Sequence, residues 1–272
     1  LLSPLFLVSA CSDANFPDED LAEGWSIESH SNDADPDYDI VFPSNTVQRL
    51  DIFISSENYN SMQDEMTTLQ GEFGVGGGGP TGGPPNGPDG GGPGGEPGGA
   101  GDHSVEDPNF ISVTVAHDDR SWPHVGMRYK GNSSLRDLWK MGVAKLPLRL
   151  DFDEFEDEYP STEDQRFWGF KKLTFSPGFH DPSYLRETLA VEIMRGHDVP
   201  AAQATFYEVY VTVEGDEERY WGLYTCLEDP SDAMLASAFG DNDGNLYKPE
   251  MGCADWTCFD EEQFEKKTNE DE

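Results

Sequence analysis

Apolar and polar residues alternate along much of the chain, and this period-two pattern is typical of half-buried β-strands. The alternating runs are residues 47–55, 110–116, 124–130, 145–152, 167–175, 205–213 and 219–227, with a shorter run at 245–248. In the fourth run, the apolar side chains from Leu146 to Phe152 fall on one face. The last two long runs flank a turn rich in acidic residues and Gly, which predicts a β-hairpin. The second half of the chain therefore predicts a sheet with a hydrophobic core.

Helical spacing is found in fewer places. Residues 56–70 predict a helix that a serine caps at its start. The clearest helix start is Asp181, which can cap, followed by Pro182, which suits the first helical position. Apolar residues then recur every four positions until Gly196 ends the pattern. We therefore predict one main helix over about 182–195, in an α+β fold with a mostly antiparallel sheet.

Charge narrows the class of partner. The 272 residues include 17 basic and 54 acidic side chains, a formal net charge of -37. Nucleic acid is excluded as a partner, because phosphate contacts need clusters of basic residues. So acidic a surface suits an extracellular or salt-rich setting or the binding of divalent cations, and simple solvation is the interpretation that we favour.

The first eleven residues form an apolar run that ends in small residues and Cys11, the pattern of a secretory signal. Residues 8–11 resemble a bacterial lipobox, in which the cysteine carries lipid; a chance apolar end is the alternative. Residues 12–44 are polar and acidic and predict a disordered tether. We expect an extracytoplasmic lipoprotein, at a bacterial cell surface or in the periplasm, that lipid alone anchors to the membrane.

Both ends of the sequence indicate a longer protein. No initiating Met or basic segment precedes the apolar run, and residues 251–272 stop within a polar stretch. We expect truncation at both ends and interpret residues 251–272 as the start of a second half.

Residues 71–104 are dominated by Gly and Pro. They predict a flexible segment between a leading strand and helix at 45–70 and the main α+β region at 105–250, either an insertion within one domain or a linker between two. We reject a glycine-rich phosphate loop, because such loops are short and fixed between a strand and a helix. This tract is far longer and is interrupted by prolines.

Three cysteines remain after Cys11, and outside the cytosol they predict one disulfide and one free thiol. Cys253 and Cys258 are close in sequence and can pair, and Cys226 can instead pair with either of them. A zinc site is not indicated, since no second Cys/His pair lies at ligand spacing.

A small polar loop follows the third alternating run. Its residues are Gly131, Asn132, Ser133 and Ser134, and Lys145 lies a short way downstream. Glycine tolerates positive φ, and the other three side chains form hydrogen bonds. Two strands around such a loop can hold a phosphate, although spacing alone favours an ordinary hairpin.

Two acidic stretches, residues 153–164 and 241–245, raise the question of calcium. The first lacks the ligand spacing of a calcium loop, and the second has Gly252 where the closing glutamate belongs. A solvated charge run and a turn are the better interpretations.

From about residue 124 to residue 248 the chain resembles the CotH kinase family, whose members are similar to spore coat protein H. The matching segments are 125–135, 145–152, 167–173, 181–190, 210–211 with 222–228, and 244–248. Each segment is a weak signal alone, and their order and spacing make the resemblance specific.

The resemblance implies the N-terminal lobe of an atypical protein-kinase-like fold, in secreted or surface proteins that transfer phosphate from ATP to serine of protein substrates. Kinase architecture then suggests roles. The loop 131–134 would cover the triphosphate, Lys145 would contact the phosphates, Glu187 would pair with that lysine, and Glu228 would begin the connection between lobes. Mg²⁺ or another divalent cation would accompany ATP.

Phosphoryl transfer also needs an aspartate that orients the acceptor hydroxyl, and metal ligands. The resemblance implies that these residues follow residue 248, where the remaining carboxylates lie in a loop-rich tail. We therefore expect no catalytic residue in this sequence, and nucleotide binding without catalysis. The alternative, from a different functional class, is a non-catalytic surface adhesion or scaffold protein with a kinase-like fold.

Overall fold

Seven strands form a closed β-barrel in the computed structural model, which describes residues 22–76, 107–131, 133–179, 181–249, 254–255, 258–259 and 261–268. The strands are β1 (Gln48–Ile54), β2 (Ile111–His117), β3 (Arg120–Tyr129), β4 (Leu148–Asp151), β5 (Lys172–Ser176), β6 (Ala204–Val213) and β7 (Arg219–Glu228). Their order around the barrel is β1-β2-β3-β4-β5-β7-β6. Only the pair β1 and β6 is parallel among these barrel strands, and it closes the ring. A mixed fold with a large, mostly antiparallel sheet is confirmed, whereas closure into a barrel was not predicted.

The apolar positions of the alternating runs point into the barrel, because successive side chains of a strand face opposite sides. Leu50, Ile52 and Ile54 of β1 are fully buried, and they meet similar rows from the other strands. Those rows include Val113, Val115, Val125, Met127, Leu148, Leu150, Leu173, Phe175, Tyr207, Val209, Tyr224 and Cys226. Burial of one large apolar side chain stabilises a fold by about 1.5–3 kcal/mol. The alternation that predicted the strands is therefore also what fills the core.

Part of the predicted tether packs on the barrel. Residues 22–44 include two single-turn helices, α1 (Ile27–His30) and α2 (Tyr38–Val41). His30 stacks on Trp122 of β3 with ring centroids 4.5 Å apart, and its Nε2 lies 3.0 Å from the Ser121 carbonyl oxygen. Val41 is fully buried. Residues 22–44 therefore differ from the disordered stretch expected at 12–44. Their few aromatic and apolar side chains pack on the barrel, and the polar composition of the segment as a whole did not indicate this.

A tight turn shortens the run that predicted a strand at 167–175. Strand β5 begins only at Lys172, because residues 167–170 form a turn closed by a bridge between its end residues. Gly169 has φ of 83°, and a Cβ added to it would lie 2.6 Å from the Cα of Pro36. The docked N-terminal segment therefore requires glycine at this turn.

The helix at 56–70 is confirmed as α3 (Ser56–Gln70), and its Ser55 cap accepts a hydrogen bond from the Asn58 amide. A second helix, α4 (Ser133–Lys140), follows β3 where a simple hairpin loop was expected. Leu135, Leu138 and Trp139 bury one face of α4. The connection between β3 and β4 is therefore a loop and a helix.

The main helix is α5 (Arg186–Arg195), and it begins four residues later than predicted. The delay has a local cause, because Tyr184 has φ of 58°, which a right-handed helix does not allow. Asp181 still caps the turn, since its carboxylate accepts hydrogen bonds from the amides of Ser183 and Arg186.

Smaller elements follow the barrel. They are α6 (Asp232–Phe239), β8 (Tyr247–Pro249) paired with β11 (Phe264–Lys266), β9 (Ala254–Asp255) paired with β10 (Cys258–Phe259), and a 3₁₀ turn at Glu261–Gln263. A further 3₁₀ turn, Pro160–Thr162, lies between β4 and β5. Among the described helices, none has the length and apolar character that crossing a bilayer demands. The expectations for Cys11 and for most of the Gly/Pro tract concern residues outside the described part.

Candidate functional site

Lys145 lies at one end of the barrel, in the coil that precedes β4 rather than on the strand predicted at 145–152. Its Nζ donates hydrogen bonds to the Pro177 carbonyl oxygen at 2.9 Å and to the Tyr184 hydroxyl at 3.2 Å. The ammonium also lies 4.5 Å from the ring centroid of Tyr184 and 5.0 Å from that of Tyr224. Two aromatic faces and two oxygens therefore hold this cation in place.

Two glycines make room for this arrangement. A Cβ on Gly222 would lie 2.9 Å from Cε of Lys145, and a Cβ on Gly178 would lie 2.7 Å from the Tyr184 ring. Both residues have positive φ, 134° and 71°. The backbone thus approaches the lysine and the tyrosine more closely than another residue type would permit.

A pocket of about 270 Å³ adjoins the lysine. Its walls come from α4 and the coil after it, and from the segment that joins β5 to α5. Its lining residues are Leu138, Val143, Lys145, Pro177, Gly178, Phe179, Asp181, Pro182 and Tyr184. The pocket is small for a nucleotide, because pockets that enclose a drug-sized ligand are about 300–1,000 Å³. It has the size to hold part of a nucleotide.

Asp181 supplies the negative charge of this pocket. Its carboxylate accepts hydrogen bonds from the Ser183 hydroxyl and, as described above, from two backbone amides. These bonds hold the pKa of Asp181 below its ordinary value, and the bond from the Ser183 hydroxyl has the largest effect. Burial has the opposite, smaller effect. The carboxylate is therefore ionised at neutral pH and faces the same cavity as Lys145.

The polar loop lies beside this pocket. Gly131 has φ of 105°, and a Cβ on it would lie 3.3 Å from Oγ of Ser134 and 3.9 Å from Pro147, two residues after Lys145. Ser133 and Ser134 open α4, whose Leu138 lines the pocket. Asn132 lies outside the described residues. The structure thus brings the described part of the loop and Lys145 to the same end of the barrel.

Glu187 stands apart from the lysine. It is half-buried in the first turn of α5. No hydrogen bond or ion pair joins Glu187 to Lys145 among the contacts of the described residues. The predicted pairing is therefore not formed in this conformation.

Glu228 also stands apart from the lysine. It ends β7, four residues beyond Tyr224, which is about 13 Å at the usual rise of a strand. Its carboxylate accepts hydrogen bonds from the Tyr38 hydroxyl at 2.6 Å and from the Gln203 amide at 2.8 Å. Burial raises the pKa of Glu228, and these two bonds oppose the rise. Glu228 thus fixes the N-terminal segment to the barrel.

The acidic stretch at 153–164 folds into a carboxylate cluster. Ligand-type oxygens of Asp153, Glu156 and Asp164 lie within 4.8 Å of one another. Asp153 already accepts hydrogen bonds from Nη1 of Arg166 at 2.6 Å and forms an ion pair with Nζ of Lys171 at 3.0 Å. Because these two cations neutralise the buried member of the cluster, the arrangement does not fit a bound divalent cation.

Of the three cysteines considered for a disulfide, Cys226 has a described side chain. Cys226 of β7 is a free, fully buried thiol in the barrel core, so the alternative pairings through it are not formed. The pairing of Cys253 with Cys258 involves side chains outside the described part.

Tyr184, Asp181 and Pro177 are the pocket residues that sequence patterns did not indicate as a site. The segment 181–184 carried a signal, Asp-Pro-Ser-Tyr, which predicted a helix start. What it forms is a capped turn that turns the Tyr184 ring toward Lys145.

The pocket residues lie within the part of the chain that matches a known protein family. Residues 127–272, more than half of the sequence, match the family model described as CotH kinase protein. The matched range contains the polar loop, Lys145, Glu187 and Glu228. No curated protein matches the chain.

Proposed function

The chain belongs to the CotH kinase family, and from this membership we propose that it grips the nucleotide in an ATP-dependent kinase that phosphorylates serine in protein substrates. We place that kinase outside the cytoplasm, anchored through lipid on Cys11. The family match is the observation that carries the proposal, because it spans every residue to which kinase architecture gives a role.

The arrangement around Lys145 supports nucleotide contact at this end of the barrel. Lys145 and Gly178, which has positive φ, line one pocket together with Leu138 of α4. A phosphate group can use an ammonium and backbone amides together. The volume suits a phosphate or a ribose rather than the whole nucleotide. The base would therefore extend beyond the pocket.

The metal that accompanies ATP has less support. Asp181 is the pocket carboxylate, and its oxygens are already engaged by Ser183 and by backbone amides. The cluster around Asp153 is neutralised by Arg166 and Lys171. Neither of these two carboxylate groups therefore fits a Mg²⁺ site.

The test of the proposal is nucleotide binding and phosphoryl transfer. A fluorescent ATP analogue should bind the protein, and Lys145→Met should weaken binding at least tenfold, because the ammonium is the cation at the pocket. Lys140→Met, at the end of α4, is the matched control and should bind like the wild type. Labelled ATP with Mg²⁺ or Mn²⁺ then tests autophosphorylation of the longest available form of the protein. Absence of both nucleotide binding and labelling would exclude the kinase function.

The alternative function, a non-catalytic adhesion or scaffold protein, has one specific observation in its favour. The ammonium of Lys145 already has two oxygen partners and two aromatic faces, so its role in the fold needs no ligand. If Lys145→Met lowers stability and leaves ATP analogue binding unchanged, this structural role is the correct one.

The anchor has its own test. Mass spectrometry of the N-terminal peptide of the mature protein should show diacylglycerol on Cys11. An unmodified cysteine there would remove the lipoprotein assignment and leave the kinase proposal unaffected.

A further inference from the structure

Residues 22–44, which we call the strap, are fixed to the barrel around His30. His30 and Ser29 of α1 are 2% and 0% exposed. The Ser29 carbonyl oxygen accepts a hydrogen bond from the Trp168 amide at 2.9 Å, and the His30 carbonyl oxygen accepts one from the Arg166 amide at 2.8 Å. The His30 ring is therefore enclosed between the strap, β3 and the segment between β4 and β5.

Hydrogen bonds fix the neutral form of His30. Its Nε2 lies 3.0 Å from the Ser121 carbonyl oxygen, which can only accept, so Nε2 carries the proton. Its Nδ1 lies 2.7 Å from Oγ of Ser29, and Nε of Arg120 donates to the same hydroxyl oxygen at 3.3 Å. In the neutral ring Nδ1 is then an acceptor, and the Ser29 hydroxyl donates to it. A second proton on the ring would reverse this bond and place a buried cation beside the Arg120 guanidinium.

The charges around His30 oppose its protonation. Burial lowers the pKa of His30; the bond to the Ser121 carbonyl oxygen opposes the shift, and the Arg120 guanidinium adds to it. Carboxylates on the surrounding elements do not compensate, because they are exposed to water or paired with an arginine: Glu28 of α1, Asp119 beside Arg120, and Asp153 beside Arg166. No carboxylate bonds to His30 among the contacts of the described residues. A proton on this ring would therefore be a buried charge without a partner of opposite sign.

A second buried histidine, His117, lies near the strap at the end of β2. Its ring centroid is 5.5 Å from that of Phe167 and 6.2 Å from that of Tyr207. The Tyr207 hydroxyl donates a hydrogen bond to the Val41 carbonyl oxygen of the strap at 2.8 Å. Both ring nitrogens of His117 are buried and have no hydrogen-bond partner. A proton on His117 would therefore add a poorly solvated charge next to a contact of the strap.

Two carboxylates near His117 compensate only in part for its burial. An oxygen of Asp118 lies 3.8 Å from Nδ1, but the Asp118 side chain is 81% exposed. Asp51 is paired with Arg49. Burial lowers the pKa of His117; Asp118 and Asp51 oppose the shift, and Arg120 adds to it. Both histidines are therefore neutral in the docked state at neutral pH.

We propose that residues 22–44 form an acid-sensitive strap, which is docked while His30 is neutral and is released when that ring is protonated, with His117 as a second acid-sensitive group. Release would convert the strap into flexible chain that spans about 25 Å on average. It would also separate the Tyr38 hydroxyl from Glu228, its partner at 2.6 Å. The inference rests on neither the kinase function nor the lipid anchor, because these contacts join the strap to the barrel alone.

Acid shifts the equilibrium towards release. His30 has an ordinary pKa, about 6.5, once the strap is free, and a lower pKa while the strap is docked. The released state therefore binds more protons, so the docked fraction is highest above pH 6.5 and falls as the pH drops below it. At pH 5 this histidine favours release by up to about 30-fold, and His117 can add at most the same factor. Glu228 opposes the trend, because burial raises its pKa.

Hydrogen exchange measures the docked fraction. The Asp37 amide donates to the Trp168 carbonyl oxygen at 2.9 Å, so its protection requires a docked strap. After correction for the intrinsic exchange rate, this protection should fall by up to about 30-fold per histidine between pH 7 and pH 5, while amides of β1 and β6 stay protected. Unchanged protection of the Asp37 amide at pH 5 would overturn the proposal. Loss of protection in β1 and β6 together with the strap would also overturn it, because the whole barrel would then be unfolding.

Three variants separate the titration of the histidines from their packing. In His30→Gln the amide can still donate to Ser121 and accept from Ser29 but has no charge, so at pH 5 the strap should be protected about tenfold or more better than in the wild type. His117→Leu has a similar volume without polar atoms and should remove a smaller share of the acid effect. His197→Gln, at an exposed position after α5, is the control and should follow the wild type.

A direct titration covers the case in which His30→Gln loses the strap already at pH 7. Imidazole chemical shifts in the wild-type protein give the pKa of His30 and of the exposed His197. A value for His30 below that of His197, with strap protection falling over the same pH range, supports the proposal. An equal or higher value for His30 contradicts it, since protonation would then not favour release.

Discussion

Two glycines of the β6–β7 hairpin allow the cost of backbone strain to be compared with the cost of a side-chain clash. Gly215 and Gly222 both have positive φ, but a Cβ on Gly215 meets nothing within 4 Å, whereas one on Gly222 would meet Lys145. We expect Gly215→Ala to cost about 1 kcal/mol of unfolding free energy from strain alone. Gly222→Ala should cost about 2–3 kcal/mol, because Lys145 must also move. Denaturant unfolding measures both, and equal costs would contradict the close packing of Lys145 on Gly222.

Asp151 predicts a pH dependence of stability. It is 1% exposed, its Oδ1 has no partner and its Oδ2 lies 3.0 Å from Nζ of Lys172. Burial raises the pKa of Asp151 to about 6, and Lys172 opposes the rise. The folded state therefore holds a proton that the unfolded state releases between about pH 4 and pH 6, and stability falls as the pH rises through this window.

Asp151→Asn removes that titration. The difference in unfolding free energy between the variant and the wild type should increase in favour of the variant from pH 4 to pH 8, by about 3 kcal/mol at most. Urea unfolding at a series of pH values measures the gain. Asp64→Asn, an exposed change on α3, is the control and should follow the wild-type profile. A constant difference between Asp151→Asn and wild type at all pH values would show that folding does not raise the pKa of Asp151.

Side-chain burial was the most predictable property at this scale, and site geometry was the least. The apolar face from Leu146 to Phe152 was predicted, because alternation depends only on neighbouring residues. The partners of Lys145 were not, because Pro177 and Tyr184 are more than 30 residues away in sequence. The turn that brings Tyr184 there depends on its positive φ, which no local pattern indicated.

Among the elements, α4 is the part of the β3–β4 connection that the predicted hairpin lacked, although the two strands do pair antiparallel. Trp139 is 1% exposed, and its Nε1 donates a hydrogen bond to the Gly71 carbonyl oxygen at 2.7 Å. Trp139→Ala should cost about 3–5 kcal/mol, from the cavity and the freed carbonyl. Lys140→Ala, the next residue, should change stability by less than about 0.5 kcal/mol. Thermal and urea unfolding compare the two, and similar costs would show that α4 is not anchored through its buried face.

The elements that were missed share a physical reason. Alternation of apolar and polar residues indicates long strands well. Helix α4 has only two turns, and its apolar positions 135, 138 and 139 lie between two strands with a much clearer alternation. The docking of α1 and α2 depends on single contacts, such as His30 on Trp122, rather than on any periodicity. Elements whose stability comes from tertiary contacts are therefore the ones that composition and spacing leave out.

At the scale of the whole molecule, the folding unit extends beyond the part that matches the family. The match starts at residue 127, whereas β1 and β2 both precede it. β1 pairs with β2 on one side and with β6 on the other. All seven residues of β1 pair with β6. Without β1 and β2, the edges of β3 and β6 would be open and the barrel interior exposed to water.

A chain that begins at residue 120 should therefore lack cooperative unfolding, although it contains the whole matched region. The control removes internal sequence instead: residues 77–104 are replaced by a flexible linker of about ten residues, long enough to join α3 to β2. Shortening a flexible connection changes loop entropy by only about 1 kcal/mol, so this variant should unfold cooperatively near the wild-type midpoint. Calorimetry distinguishes the two outcomes. A cooperative unfolding transition in the chain from residue 120 would show that the barrel does not need β1 for closure. Loss of the cooperative transition in the linker variant would show that the Gly/Pro tract has a structural role.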